Sequence, residues 1–151
     1  MSTDDTTALI KFARRYFDDV EQARRIEFTA IGDNVRGEFH PKAFALYYDL
    51  ERCYASGAYR AAIIVAFMII EIHLKKIEGL DGKAWKILRD AGIYDQVQWL
   101  HNERNCIVHG DDSLDFSSSH VFDEDKIADW RHKAKKAIST ATMVTHRNFT
   151  E

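Results

Sequence analysis

Residues 58–78 read AYRAAIIVAFMIIEIHLKKIE, and every position from Ala61 to Ile70 is apolar. An α-helix completes a turn every 3.6 residues, so this run leaves no polar face for water over almost three turns. It is too short to span a bilayer, which takes about 20 apolar residues. The stretch therefore reads as a central, buried helix from Ala58 to Glu78 around which the rest of the chain is wrapped. Glu71 and His73 interrupt its second half.

The flanks carry the punctuation of further helices. Upstream, Ser56-Gly57 breaks a helix that Pro41 opens at a first-turn position and that runs to about Ala55. Before it, Leu9, Phe12, Tyr16, Val20 and Ala23 recur at helical spacing within a helix from about Thr6 to about Ile31. Gly32-Asp33-Asn34 and Gly37 loosen the chain between the two. Downstream, Gly79 and Asp81-Gly82 make a turn, and a short helix from Ala84 to Asp90 ends at Ala91-Gly92. A helix from about Tyr94 to His109 stops at Gly110, a residue suited to closing a helix. Asp111 to Phe122 is rich in Ser and Asp and reads as a loop. The last helix starts near Asp123, with Glu124 and Asp125 at its positive end, and runs to about Arg147. The expectation is an all-α, antiparallel bundle of five or six helices, a single domain over residues 1–151.

Composition agrees with that class. The 151 residues are 46% hydrophobic and 30% charged, with one proline and seven glycines. That is enough apolar material for one core, with few breaks for many short strands. The formal net charge of -3 supplies no global attraction for phosphate, so any contact with nucleic acid must be local or shared between subunits. Cys53 and Cys106 show no CxxC spacing and read as reduced thiols in or near the core. The acidic, polar start Met-Ser-Thr-Asp-Asp is unlike a signal peptide, so a cytoplasmic location is expected.

The chemistry concentrates in the helix that ends at His109. Ile93, Val97, Leu100, Ile107 and Val108 form one stripe, and Arg104 stands in its middle, four residues after Leu100 and three before Ile107. A cation on an apolar face needs a partner, because an unpaired buried charge is costly. Beside this stripe, His101, Asn105 and His109 follow one another at four-residue spacing. Two readings are open. Arg104 can pair with Glu71 of the central helix as a structural ion pair, with His109 answering the helix dipole and Asn105 a bystander. Alternatively the four side chains form a site.

Arg104-Asn105-Cys106-Ile107-Val108-His109 resembles the R-x4-H signature of the HEPN superfamily, in its R-N-x3-H form. Gly110 behind it, Leu88 through Leu100 before it, and the apolar helix after Gly57-Ala58-Tyr59-Arg60 resemble the same family, over about residues 40–145. The resemblance implies a metal-independent endoribonuclease, of a class that includes toxins of toxin–antitoxin and phage-defence systems. It implies a homodimer with two motifs facing one cleft, an RNA substrate, and a cognate antitoxin or nucleotidyltransferase-like partner. Arg104, Asn105 and His109 would be catalytic, with Glu71 and His101 as second-tier candidates. The residue types suit the reaction: an imidazole titrates near neutrality, and a guanidinium meets charge growing on phosphate. Asn105 would orient one of them. The same family contains silent modules that bind a protein partner, and a nucleotide-binding domain is a further alternative.

Some family members carry a tyrosine two positions after the motif histidine that accepts a nucleotide. Asp111 stands there, followed by Asp112, so that mode of control is not expected. His101-Asn102-Glu103 has the H-x-E form of zinc deaminases, but no P-C-x-x-C follows, and no HExxH or glycine-rich phosphate loop occurs. No metal or cofactor is expected. Lys126, Arg131, Lys133, Lys135, Lys136 and Arg147 on the last helix read first as a solvated face, and otherwise as the best candidate for contacts to an RNA backbone.

Overall fold

A computed structural model describes residues 3–32, 40–110 and 124–147, with side chains from residue 6 onward. Six helices appear among them: α1 Thr3–Gly32, α2 Pro41–Ala55, α3 Tyr59–Lys76, α4 Ala84–Asp90, α5 Tyr94–His109 and α6 Glu124–His146. No strand occurs among the described residues. The sequence limits for α2, α4 and α5 are met to the residue, and those of the other three lie within three. The expected loop from Asp111 to Phe122 lies outside the described residues.

The all-round apolar helix takes the centre, as its composition requires. α3 packs against α2, α4, α5 and α6, and Ala62, Ile63, Ala66, Phe67, Ile69, Ile70 and Leu74 are all buried within one cluster. Leu50 and Tyr54 from α2, Ile87 and Leu88 from α4, Val97 and Leu100 from α5, and Ala137 and Ile138 from α6 complete that cluster. Non-directional burial of this kind is the main favourable contribution to folding.

Two cross-links give the helix directions. Arg60 near the start of α3 lies over the Trp130 ring of α6 at 4.8 Å, whereas Glu78 just past α3 is bonded by Arg147 just past α6 at 2.8 Å. α3 and α6 therefore run parallel. α1 and α2 run antiparallel, since Arg24 reaches the Ala55 carbonyl while Phe28 meets Tyr47. Consecutive long helices alternate in direction, and the parallel α3/α6 contact arises because α4 and α5 intervene.

The turn between α2 and α3 is tight. Gly57 has φ +81, and a Cβ there would stand 3.0 Å from Nη1 of Arg24. Glycine is needed twice over, for the left-handed backbone and for the approach of α1.

α1 departs from the usual amphipathic pattern. Its C-terminal half packs on the bundle through Phe28, and Glu27 accepts hydrogen bonds from Tyr54 at 2.8 Å and Arg131 at 2.5 Å. Lys135 forms an ion pair with the same carboxylate. Its N-terminal half does not. Leu9, Phe12 and Tyr16 of the regular apolar stripe are exposed, as are Ile10 and Phe17, and Ala23 is exposed too. Only Val20 of that stripe is half-buried. The periodicity marked a real helix whose apolar face has no cover among the described residues.

Candidate functional site on the fifth helix

α5 is anchored by the stripe that its spacing announces. Ile93, Val97 and Leu100 are buried, and Ile107 is half-buried against the core. Beyond Leu100 the helix emerges, so that Val108 is 47% exposed. Gly110 closes it at φ 63, ψ 51, donating its backbone N–H to the Cys106 carbonyl at 3.1 Å. His109 is thus the last helical residue, presented at the negative end of the helix dipole.

Arg104 is half-buried, and Nη1 donates to Oδ1 of Asn105 at 2.9 Å. Asn105 in turn reaches Nε2 of His101 through Nδ2 at 3.1 Å. The order of donors follows from the arginine, which can only donate. Its claim on Oδ1 turns the amide –NH2 toward His101, so Nε2 of His101 must accept and the ring carries its proton on Nδ1. Burial pushes the pKa of His101 below the ordinary 6.5, Arg104 pushes it further down, and Glu71 opposes both. The ring also packs on Phe67, centroids 5.4 Å apart. His101 is accordingly a neutral, oriented acceptor at pH 7.

Arg104, Asn105 and His101 are therefore brought into one chain of hydrogen bonds. His109 lies one turn beyond Asn105, is exposed, and makes no hydrogen bond or ion pair among the described residues. The Nε of Arg104 is buried and has no hydrogen-bond partner among the described residues. Arg104 and His109 are five residues apart on one helix and point about 140° apart around its axis, so one copy alone does not aim both at a single phosphate.

The expected Glu71–Arg104 ion pair is not formed. Glu71 instead faces Lys75 on its own helix at 3.9 Å, and Arg104 is occupied by its neighbour in sequence. Glu71 acts at a distance, through its charge on His101. A pairing inferred from two isolated charges in apolar segments failed because each found a polar group on its own helix.

The basic face of α6 also differs from the open track that its composition suggests. Arg131 and Lys135 are drawn to Glu27, Lys133 to Glu103 at 3.1 Å, and Arg147 to Glu78. Lys136 lies over the Trp99 ring at 4.1 Å. These cations brace α6 against its neighbours. Trp99 and Glu103 of α5, which precede Arg104 on the same helix, are positioned by them, and this support was not visible in the sequence. Phe67 was missed likewise, since an all-apolar helix gives no sign of which side chain will meet a histidine.

Cys53 and Cys106 form no disulfide and are half-buried, and burial, aided by Asp49, raises the Cys53 thiol above its ordinary value. Among the described residues, no helix is long and apolar enough to cross a membrane, and no three His, Cys, Asp or Glu side chains group as metal ligands would. Comparison with protein-family models, with curated proteins and with solved structures finds no match.

Proposed function

We propose that this chain is a metal-independent endoribonuclease of the HEPN class, working from the C-terminal end of α5. The single observation that supports the reading best is the hydrogen-bonded line Arg104–Asn105–His101, with exposed His109 one turn further on. In this reading the RNA phosphate meets the Arg104 guanidinium as charge grows on the phosphoryl oxygens. His109 takes the proton of the ribose 2′-hydroxyl, whose oxygen attacks the adjacent phosphorus. The bond from phosphorus to the 5′-oxygen breaks, that oxygen takes a proton from solvent, and a 2′,3′-cyclic phosphate remains. His101, held neutral, positions Asn105 and through it the guanidinium. The protein acts as a homodimer, and a toxin or phage-defence role with a cognate antitoxin belongs to the same proposal.

Purified protein should cut RNA in EDTA and leave DNA intact, since DNA lacks the 2′-hydroxyl. His109→Ala should lose about 10²–10⁴-fold in rate, the usual worth of general acid–base help, while keeping the wild-type circular dichroism. Equal cleavage by His109→Ala and wild type would overturn the assignment. A second reading, a silent module of the same class that binds a protein, draws on the exposed apolar half of α1. Intact RNA across varied substrates together with a tight protein partner would favour it.

A further inference from the structure

The N-terminal half of α1 combines an uncovered apolar face with a particular order of charges. Phe12 is 71% exposed and Phe17 69%, and Leu9, Ile10 and Tyr16 are exposed beside them. Leu9, Ala13, Tyr16, Phe17, Val20 and Arg24 share one face at helical spacing. The lower part of that face, from Tyr16 to Arg24, forms one wall of a groove of about 580 Å3. Tyr59 at the start of α3 and Ile127 and Trp130 of α6 line the rest of that groove.

The charges beside and behind this face run in blocks, with Arg14, Asp19 and Glu21 nearest its edges. Lys11, Arg14 and Arg15 precede Tyr16-Phe17, and Asp18, Asp19 and Glu21 follow it. Arg14, Arg15, Asp18 and Asp19 have no ion-pair partner among the described residues. Glu21 is already held by Arg25 at 2.7 Å. A sequence that is basic on one side of a centre and acidic on the other is complementary to its own reverse. A second copy laid antiparallel, with the two-fold near Phe17, puts basic block against acidic block at both ends. Laid parallel, it would put like against like.

We propose that α1 is a homodimer contact in which two N-terminal halves pair antiparallel about Phe17. The apolar pattern requires the same register as the charges. With the axis at Phe17, the second copy's Ile10 falls opposite Arg24 and its Ala13 near Val20, so its apolar first turns cover the groove. The contact is isologous and closes on itself, as a two-fold interface must. A membrane surface fits this helix less well. Residues 3–20 carry three cations and four carboxylates, whereas helices that lie on anionic lipid are rich in Lys and Arg. α5 offers a second copy much less, because Val108 is its one exposed large hydrophobic residue among those described. The inference does not depend on ribonuclease activity.

Charge exchange tests it. The full chain should show about twice 17.5 kDa by light scattering at micromolar concentration. Arg14→Asp with Arg15→Asp leaves Lys11 as the one cation between residues 11 and 21, and Asp18→Arg with Asp19→Arg leaves Glu21 as the one carboxylate there. Each double variant should be monomeric with unchanged helical circular dichroism. Mixed in equal amounts, the two should return to the mass of a dimer, which misfolding or simple loss of contact could not produce. Phe17→Glu should be monomeric and should not be rescued by either. A monomeric wild type, double variants that still dimerise, or a mixture that stays monomeric would overturn the proposal. So would a monomer that binds anionic lipid vesicles through this helix. RNA cleavage is read separately on the same samples, so loss of the dimer and loss of the catalytic reading are told apart.

Discussion

Asn105 holds His101 across 3.1 Å while accepting from Arg104 at 2.9 Å, so one side-chain amide joins the cation to the imidazole. The amide works because it offers an acceptor at one end and a donor at the other. A carboxylate in its place would pair with the arginine but could not donate to a neutral Nε2.

Asn105→Asp tests that polarity. It should leave the Arg104 contact in place and raise the His101 pKa, since the His101 ring must now donate. An NMR titration of His101 checks the direction. Asn105→Ala should cost about 1 kcal/mol, the usual net worth of a hydrogen bond, in urea unfolding.

Stability should fall on mild acidification. His101 and His73 both have pKa values lowered from 6.5, each chiefly by burial. Arg104 adds to the effect on His101; at His73, Glu78 opposes it while Arg147 and His146 add to it. His73 is fully buried, and its nearest acid, Glu78, stands 3.6 Å away without a hydrogen bond. A group whose folded pKa is depressed contributes stability above its unfolded value, and that contribution is lost as pH falls through the folded one. The urea midpoint should therefore drop between about pH 7 and 5, and His73→Leu should flatten the drop. A midpoint independent of pH over that range would contradict the assignment.

Glu27 ties three helices together. Burial works against its carboxylate, but hydrogen bonds from Lys135, Arg131 and Tyr54 outweigh it and hold the pKa at about 2, against an ordinary 4.5. The stabilisation is present above 4.5 and is lost as pH falls toward 2. Glu27→Gln should lower stability at neutral pH by about 1.5–3 kcal/mol, the range for hydrogen bonds to charged groups. The difference from wild type should shrink in acid. Calorimetry at both pH values measures it.

Gly110 has φ 63 with nothing within 4 Å of where a Cβ would lie. Gly110→Ala should therefore cost only the backbone strain of a left-handed residue, about 1–2 kcal/mol. It should loosen the last turn of α5, where His109 stands. Gly57→Ala should cost more, since its Cβ would also meet Arg24 at 3.0 Å. Thermal unfolding of the two variants should rank them in that order.

The sequence by itself determined which segments are helices and where they stop. Pro41, Gly57, Gly92 and Gly110 act locally, through backbone angles their neighbours cannot alter, so helix limits were legible before any packing was known. It also determined that α3 is central, because an all-apolar helix has no other stable place. What it could not determine was which polar group each charge would meet. Arg104 and Glu71 looked like partners, yet each turned to its own helix, to Asn105 and to Lys75. Pairing depends on angstrom-scale distances between helices that periodicity does not encode. The same holds for α6, whose cations are consumed by Glu27, Glu103 and Glu78. The stripe on α1 makes the point from the other side. Spacing shows that a face is apolar, but only the tertiary arrangement decides whether the chain covers it, and here α2 ends at Ala55, level with Arg24, so that α2 does not extend along the half of α1 before it.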